Sequence, residues 1–207
     1  MAGTPTISLT DFVDFTISSG TPKLSKVSEI LRRGEYHPAT DFWKPLRESI
    51  VEFHSTGPHD RRELDKIVAR LADAKKHARA SECVAGYKRF LGRRDTKWFE
   101  PPKARWSSGG LAVRVNPELG VRIDGVPHVL KLYFKSEPLS KRRVDIVFTL
   151  MHEATNTGAP PDSSFGIVDV PRGKMYASKT PNRALIPLLQ GEAISFKTIW
   201  DSLSAGP

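Results

Sequence analysis

Apolar positions recur at helical spacing through the first half of the chain and switch to alternation near residue 111. The stretch TDFVDFTISSG predicts a short helix closing at Gly20. KLSKVSEILRRGEY (23–36) places Leu24, Val27, Ile30 and Leu31 on one stripe and ends at Gly34. Both belong to a predicted helical arm over residues 1–40. A third helix starts at Thr40 or Asp41, which can cap it, with Pro45 tolerated in the first turn. Phe42, Leu46, Ile50 and Phe53 form its buried stripe, and Gly57-Pro58 stops it. A long helix is predicted from about Asp60 to about Leu91, with Leu64, Ile67, Val68, Leu71, Ala74 and Ala78 inward.

GYKRFLGRRDTKWFEPPKAR (86–105) carries two consecutive prolines and no clear period, and is read as a connection. LAVRV (111–115), LGVRID (119–124) and HVLKLYFK (128–135) alternate and predict three strands, with Asp124-Gly125 turning between the second and third. Ser140 to about Ala154 predicts a helix, although the apolar run Ile146–Met151 also suits a buried strand. FGIVDV and KMYAS predict a hairpin, and a last helix runs from about Gly191 to Leu203. This string predicts an α+β protein: a mixed sheet of about five strands flanked by helices, in one domain over 41–207 preceded by the arm.

Charge narrows the picture. Thirty-two Lys+Arg against 23 Asp+Glu give a net +9, which favours a polyanionic partner through counterion release at phosphates. No apolar run approaches the roughly 20 residues needed to span a bilayer. A single cysteine excludes an internal disulfide, and the N-terminal residues lack a secretory pattern, so a cytoplasmic protein is expected. In the connection, Arg89, Arg93, Arg94, Lys97, Lys103 and Arg105 interleave with Trp98 and Trp106. Cations beside aromatics form a platform for single strands; the alternative is that both tryptophans cover the sheet as core. The basic faces around Arg70 and Lys76, the outward side of the third strand with Tyr133 and Lys135, and Lys141-Arg142-Arg143 at a helix start extend the expected nucleic-acid surface, DNA or RNA. Three positive charges at a helix N-terminus oppose its macrodipole, which favours a partner for them.

The order of elements, with Pro117-Glu118 opening the second strand and Lys131 on the third, resembles the PD-(D/E)XK nuclease superfamily over about residues 41–178. The resemblance implies a restriction-endonuclease-like core and, in an active protein, Mg²⁺ or Mn²⁺ held by carboxylates. Glu118 and Asp124 would be the metal ligands, Glu52 or Glu48 the assisting helix acid, and Lys131 the group orienting water. The third-strand acid of that superfamily is missing: its place reads Leu130 or Lys131, and no Asp or Glu lies between Asp124 and Glu137. Each candidate also has a plain structural role: Glu118 and Asp124 in turns, the lysines as outward strand charges that guard an edge.

Other chemistry is excluded. His152-Glu153 has Asn156 where a zinc-protease helix needs its second histidine. Ser107-Ser108-Gly109-Gly110 precedes a strand, not a helix, so it is not a phosphate loop. Cys83 reads as a buried structural thiol. Two expectations result: a nucleic-acid-binding protein with a nuclease-like core, catalytic or not, or a non-enzymatic interaction domain with a protein partner or a second copy of itself.

Overall fold

A computed structural model describes residues 4–33, 41–57, 60–69 and 74–205. Their strands are β1 (Thr6–Ser8), β2 (Thr96–Phe99), β3 (Ala104–Ser108), β4 (Leu111–Val115), β5 (Leu119–Ile123), β6 (Val126–Tyr133), β7 (Ser164–Asp169) and β8 (Lys174–Ser178). Their helices are α1 (Leu9–Ile17), α2 (Thr21–Arg33), α3 (Lys44–Ser55), α4 (Glu63–Ala69), α5 (Ala74–Leu91), α6 (Lys141–Thr155) and α7 (Ile186–Ser204). The protein is α+β, with a mixed five-stranded sheet in the order β2-β5-β6-β7-β8 and a second sheet in the order β1-β4-β3. None of the described helices is long and apolar enough to cross a membrane.

The five-stranded sheet is buried on both faces. Alternation sends Leu119, Val121, Ile123, Leu130 and Leu132 to one side, where α3, α4 and α5 cover them with Leu46, Ile50, Leu64, Val84, Tyr87 and Phe90. Val129, Tyr133, Phe165 and Ile167 point to the other side, against α1, α6, α7 and the inner face of the small sheet. The one parallel pairing of the large sheet, β6 with β7, is joined through α6, as a parallel crossover requires. Helix α5 closes on the sheet at Gly86: a Cβ there would stand 2.0 Å from the Val170 carbonyl oxygen.

Several expectations are corrected. Residues 6–17 are not an arm: β1 pairs in parallel with β4, and Phe12 and Phe15 are fully buried in the main core. The stretch from 60 to 91 forms two helices, with 70–73 between them outside the described residues. The connection 86–105 contains the end of α5, all of β2 and the start of β3. The three predicted strands do not share one sheet, because β4 belongs to the small sheet. Instead β2 lies antiparallel beside β5, and the β3–β4 hairpin is inserted between them in sequence.

Candidate functional site: a cleft at the junction of the two sheets

The chain passes from one sheet to the other through Asn116 and Pro117. At that crossing lies a cleft of about 1100 Å³. Its walls come from β1 and the first turn of α1, the end of α2, α3, the segment 98–103, the end of β4, and residues 131–135 at the end of β6. Lining it are Glu48, Glu52, Trp98, Lys103, Glu118, Lys131, Tyr133 and Lys135, all named from sequence, together with Asp11, Arg33, Trp43, Arg47 and Arg114, which were not.

Glu118 lies at the floor. Its main-chain N–H donates to the Leu130 carbonyl at 3.1 Å, one step before the Leu119–Leu130 ladder pair. Its two carboxylate oxygens are both occupied: Lys131 Nζ donates to Oε1, and the Leu132 N–H donates to Oε2 at 2.9 Å. Both side chains of this ion pair are mostly buried, 12% and 18% exposed. With Lys131 as the strand lysine, the residue two positions before it on the same face is Val129, fully buried in the core. An acid at that place would lie inside apolar packing.

Asp124 is elsewhere. It sits at the far end of β5, with six residue steps at about 3.3 Å each, or about 20 Å, between it and Glu118. Its φ of 49° belongs to the turn, and its carboxylate accepts the Asp95 N–H at 3.0 Å while its own N–H donates to the Asp95 carbonyl at 3.0 Å. Glu118 and Asp124 therefore do not meet at one ion, which corrects the expected metal pair. Among the described residues no group of three or more His, Cys, Asp or Glu side chains is placed to hold a metal ion. The donors named from sequence do not fit Mg²⁺ or Mn²⁺, because one is engaged by a lysine and the other caps a remote turn.

The remaining cleft charges are mostly matched. Burial would push the Asp11 carboxyl up, but the Ser8 hydroxyl, Arg33 and Lys26 together hold it below the usual carboxylate range. Asp41 pairs with Arg47 at 2.7 Å, and Lys103 with Glu100 at 2.9 Å. Lys135 pairs with Asp14 at 3.0 Å, and the buried Arg143 reaches the same carboxylate at 2.6 Å and Glu137 at 3.3 Å. Burial pushes the Tyr133 phenol up, and Glu137, to which its hydroxyl donates, adds to the rise. Glu52 and Arg114 have no ion-pair partner among the described residues.

These contacts sort the expected nucleic-acid residues. Arg143 is core, not surface. Arg142 donates to the Thr16 carbonyl, so it and Arg143 fasten α6 to α1, whereas Lys141 pairs with Asp145 of its own helix and stays exposed. Tyr133 is buried, because both faces of β6 are covered. Arg89 donates to the Pro171 carbonyl. Trp98 and Trp106 pack partly against the two cores, Trp106 on Phe12 with ring centroids 5.5 Å apart. Arg93, Arg94, Lys97 and Arg105 are exposed with no acid in ion-pair range among the described residues, and Arg94 lies 5.3 Å from the Phe90 ring. Arg70, and the side chain of Lys76, lie outside the described residues. The sequence missed Arg114 and Arg122 because each stands alone in an apolar strand. The usable signal was the register, which sets Lys97 against Arg122 and Arg105 against Arg114.

No protein-family model matches the chain, and no curated protein matches it.

Proposed function

We propose that the protein binds nucleic acid, DNA or RNA, across this cleft on a PD-(D/E)XK nuclease-like core that lacks the paired carboxylates of an active enzyme. The observation that carries the reading is that one cleft is lined by a helix acid, a strand-opening acid and a strand lysine: Glu52, Glu118 and Lys131. Element order supports it. Taking β2, β5 and β6 as the antiparallel meander, with α6 and the parallel β7 following, gives the helix, three strands, crossover helix and strand of that superfamily. The inserted β3–β4 hairpin accounts for the displaced first predicted strand, 111–115.

The site's chemistry then favours binding over cleavage. Glu118 neutralises Lys131 and fixes the floor. Phosphates are left to Arg114, the cation of the cleft wall with no acid in ion-pair range among the described residues, and Trp43 and Trp98 of the same lining offer ring surface for bases. We place this activity in the cytoplasm, on the single buried cysteine. The test is filter retention of labelled single- and double-stranded DNA and RNA at low and high salt. Retention that falls steeply with salt is expected; no retention at low salt removes the reading and leaves an interaction domain for a protein partner.

A further inference from the structure

The small sheet places a pair of like charges where its own architecture gives no reason for one. Arg114 on β4 stands directly opposite Arg105 on β3, with Ser8 of β1 on its other side. Both arginines are exposed, and neither has an acid in ion-pair range among the described residues. Directly opposed side chains on antiparallel strands have Cβ atoms about 5 Å apart, and like charges there destabilise the sheet. Lys131 on β6 is neutralised by Glu118, and Lys135 just beyond that strand by Asp14. Protection against edge pairing explains a cation on an edge strand, but β4 is the central strand of its sheet. A repulsive pair held open on a central strand is suited to a ligand that supplies the missing negative charge.

Arg114 also forms part of the wall of the cleft that Trp98 and Lys103 line. We propose that Arg105 and Arg114 together grip the phosphodiester backbone of the nucleic acid as it leaves the cleft; this rests on the function proposed above. A guanidinium presents a planar fork that matches phosphate oxygens. Two of them side by side fix the strand's path without reading its sequence. Aromatic rings in the adjoining wall favour a nucleic acid over an acidic peptide.

The experiment compares the wild type with Arg105→Gln/Arg114→Gln and with a control pair, Lys66→Gln/Lys197→Gln, that removes two charges elsewhere. Anisotropy of a labelled mixed-sequence single strand is followed over a salt series. Loss of two phosphate contacts lowers the slope of log K against log salt by about 1.4. The arginine variant is expected to show that drop with an unchanged or higher thermal midpoint, and the control pair is expected to show none. An unchanged slope in the arginine variant, or an equal drop in the control, overturns the inference while leaving the functional reading intact. Poly-glutamate competing as well as the oligonucleotide at equal charge overturns the choice of partner. A wild type that binds no nucleic acid at low salt overturns the functional reading itself, and this inference with it.

Discussion

Acid should weaken this fold well before its carboxylates titrate, because of one histidine. His54 on α3 is 7% exposed, and its Nε2 lies 2.7 Å from the hydroxyl of the fully buried Tyr87. Burial pulls its pKa down from 6.5 to about 4. The folded protein therefore resists protonation that the unfolded chain accepts. Stability is fully present above pH 6.5, declines as pH falls from there to about 4, and loses nothing more from this group below that. At about 1.36 kcal/mol per pH unit, the gap between 6.5 and about 4 sets a full loss of about 3 kcal/mol. Between pH 7 and pH 5 the loss is about 2 kcal/mol, and by pH 4 about 3. Burial depresses His128 in the same direction, so the measurement is a difference. Urea unfolding of the wild type and of His54→Gln is followed from pH 7.5 to 4. The glutamine keeps a polar group near the Tyr87 hydroxyl but has no proton to gain. The gap between the two curves should move by about 3 kcal/mol against the wild type. A gap constant within about 0.5 kcal/mol across that range would refute the account of His54.

Gly86→Ala should reverse the usual helix rule. In an open helix it gains about 1 kcal/mol, but here the new methyl meets the Val170 carbonyl, so a net loss of about 1–3 kcal/mol is expected in urea unfolding. Lys97→Glu replaces a like-charge cross-strand pair with an opposite one facing Arg122 and should stabilise by about 0.2–1 kcal/mol; a lower thermal midpoint would count against it. Glu118→Gln leaves Lys131 half-buried without its carboxylate. It should cost about 1–3 kcal/mol of stability yet tighten nucleic-acid binding at low salt; weaker binding by folded protein would return Glu118 to a ligand-holding role. Asp124→Asn keeps a residue tolerant of the left-handed turn and should leave binding unchanged; a loss measured by anisotropy would place Asp124 in the cleft.

Periodicity was a good guide where one face of an element carried all the apolar residues. Helix α6 and the β7–β8 hairpin stand where the pattern set them, because their stripes match the surfaces they cover; α3 keeps Leu46 and Ile50 inward but starts at Lys44 rather than at Thr40 or Asp41, which leaves Phe42 exposed outside it. It failed at β2 and β3, where charged and aromatic residues surround Pro101-Pro102: the turn chemistry was legible, but the strands on either side were short and half-exposed. It failed at β1 for a different reason. Three residues pairing in parallel with a strand more than a hundred positions away leave no local signal. Asp124-Gly125 was legible as a turn, and the structure uses it as one. The error in the metal pair came from joining two carboxylates by their nearness in sequence, whereas a straight strand holds its two ends apart. Arg143 misled the helix-dipole argument because its partner, Asp14, lies on another helix 129 residues earlier.

The distribution of unmatched charge links the fold to the proposed activity. With 32 basic and 23 acidic residues, one-to-one pairing must leave cations over, and the fold decides where. Several of its acids are committed to cations between segments: Asp14 and Glu137 to Arg143, Glu118 to Lys131, Asp11 to Lys26 and Arg33. Each of these pairs fixes the meeting of two segments, so each has a structural use without any ligand. Arg93, Arg94, Lys97, Arg105, Arg114 and Arg122 have no acid in ion-pair range among the described residues, and all lie between the end of α5 and β5, the stretch that crosses from one sheet to the other. A surplus serving solubility alone would be expected to spread over the surface and avoid direct opposition. Arg32, Arg61, Lys174, Lys179 and Arg183, which also have no acid in ion-pair range among the described residues, do spread in that way, but Lys97 stands opposite Arg122 and Arg105 opposite Arg114 across ladders. That arrangement costs stability in the free protein; under the proposed function a bound polyanion would relieve it, so that binding and the relief of that repulsion would be the same event.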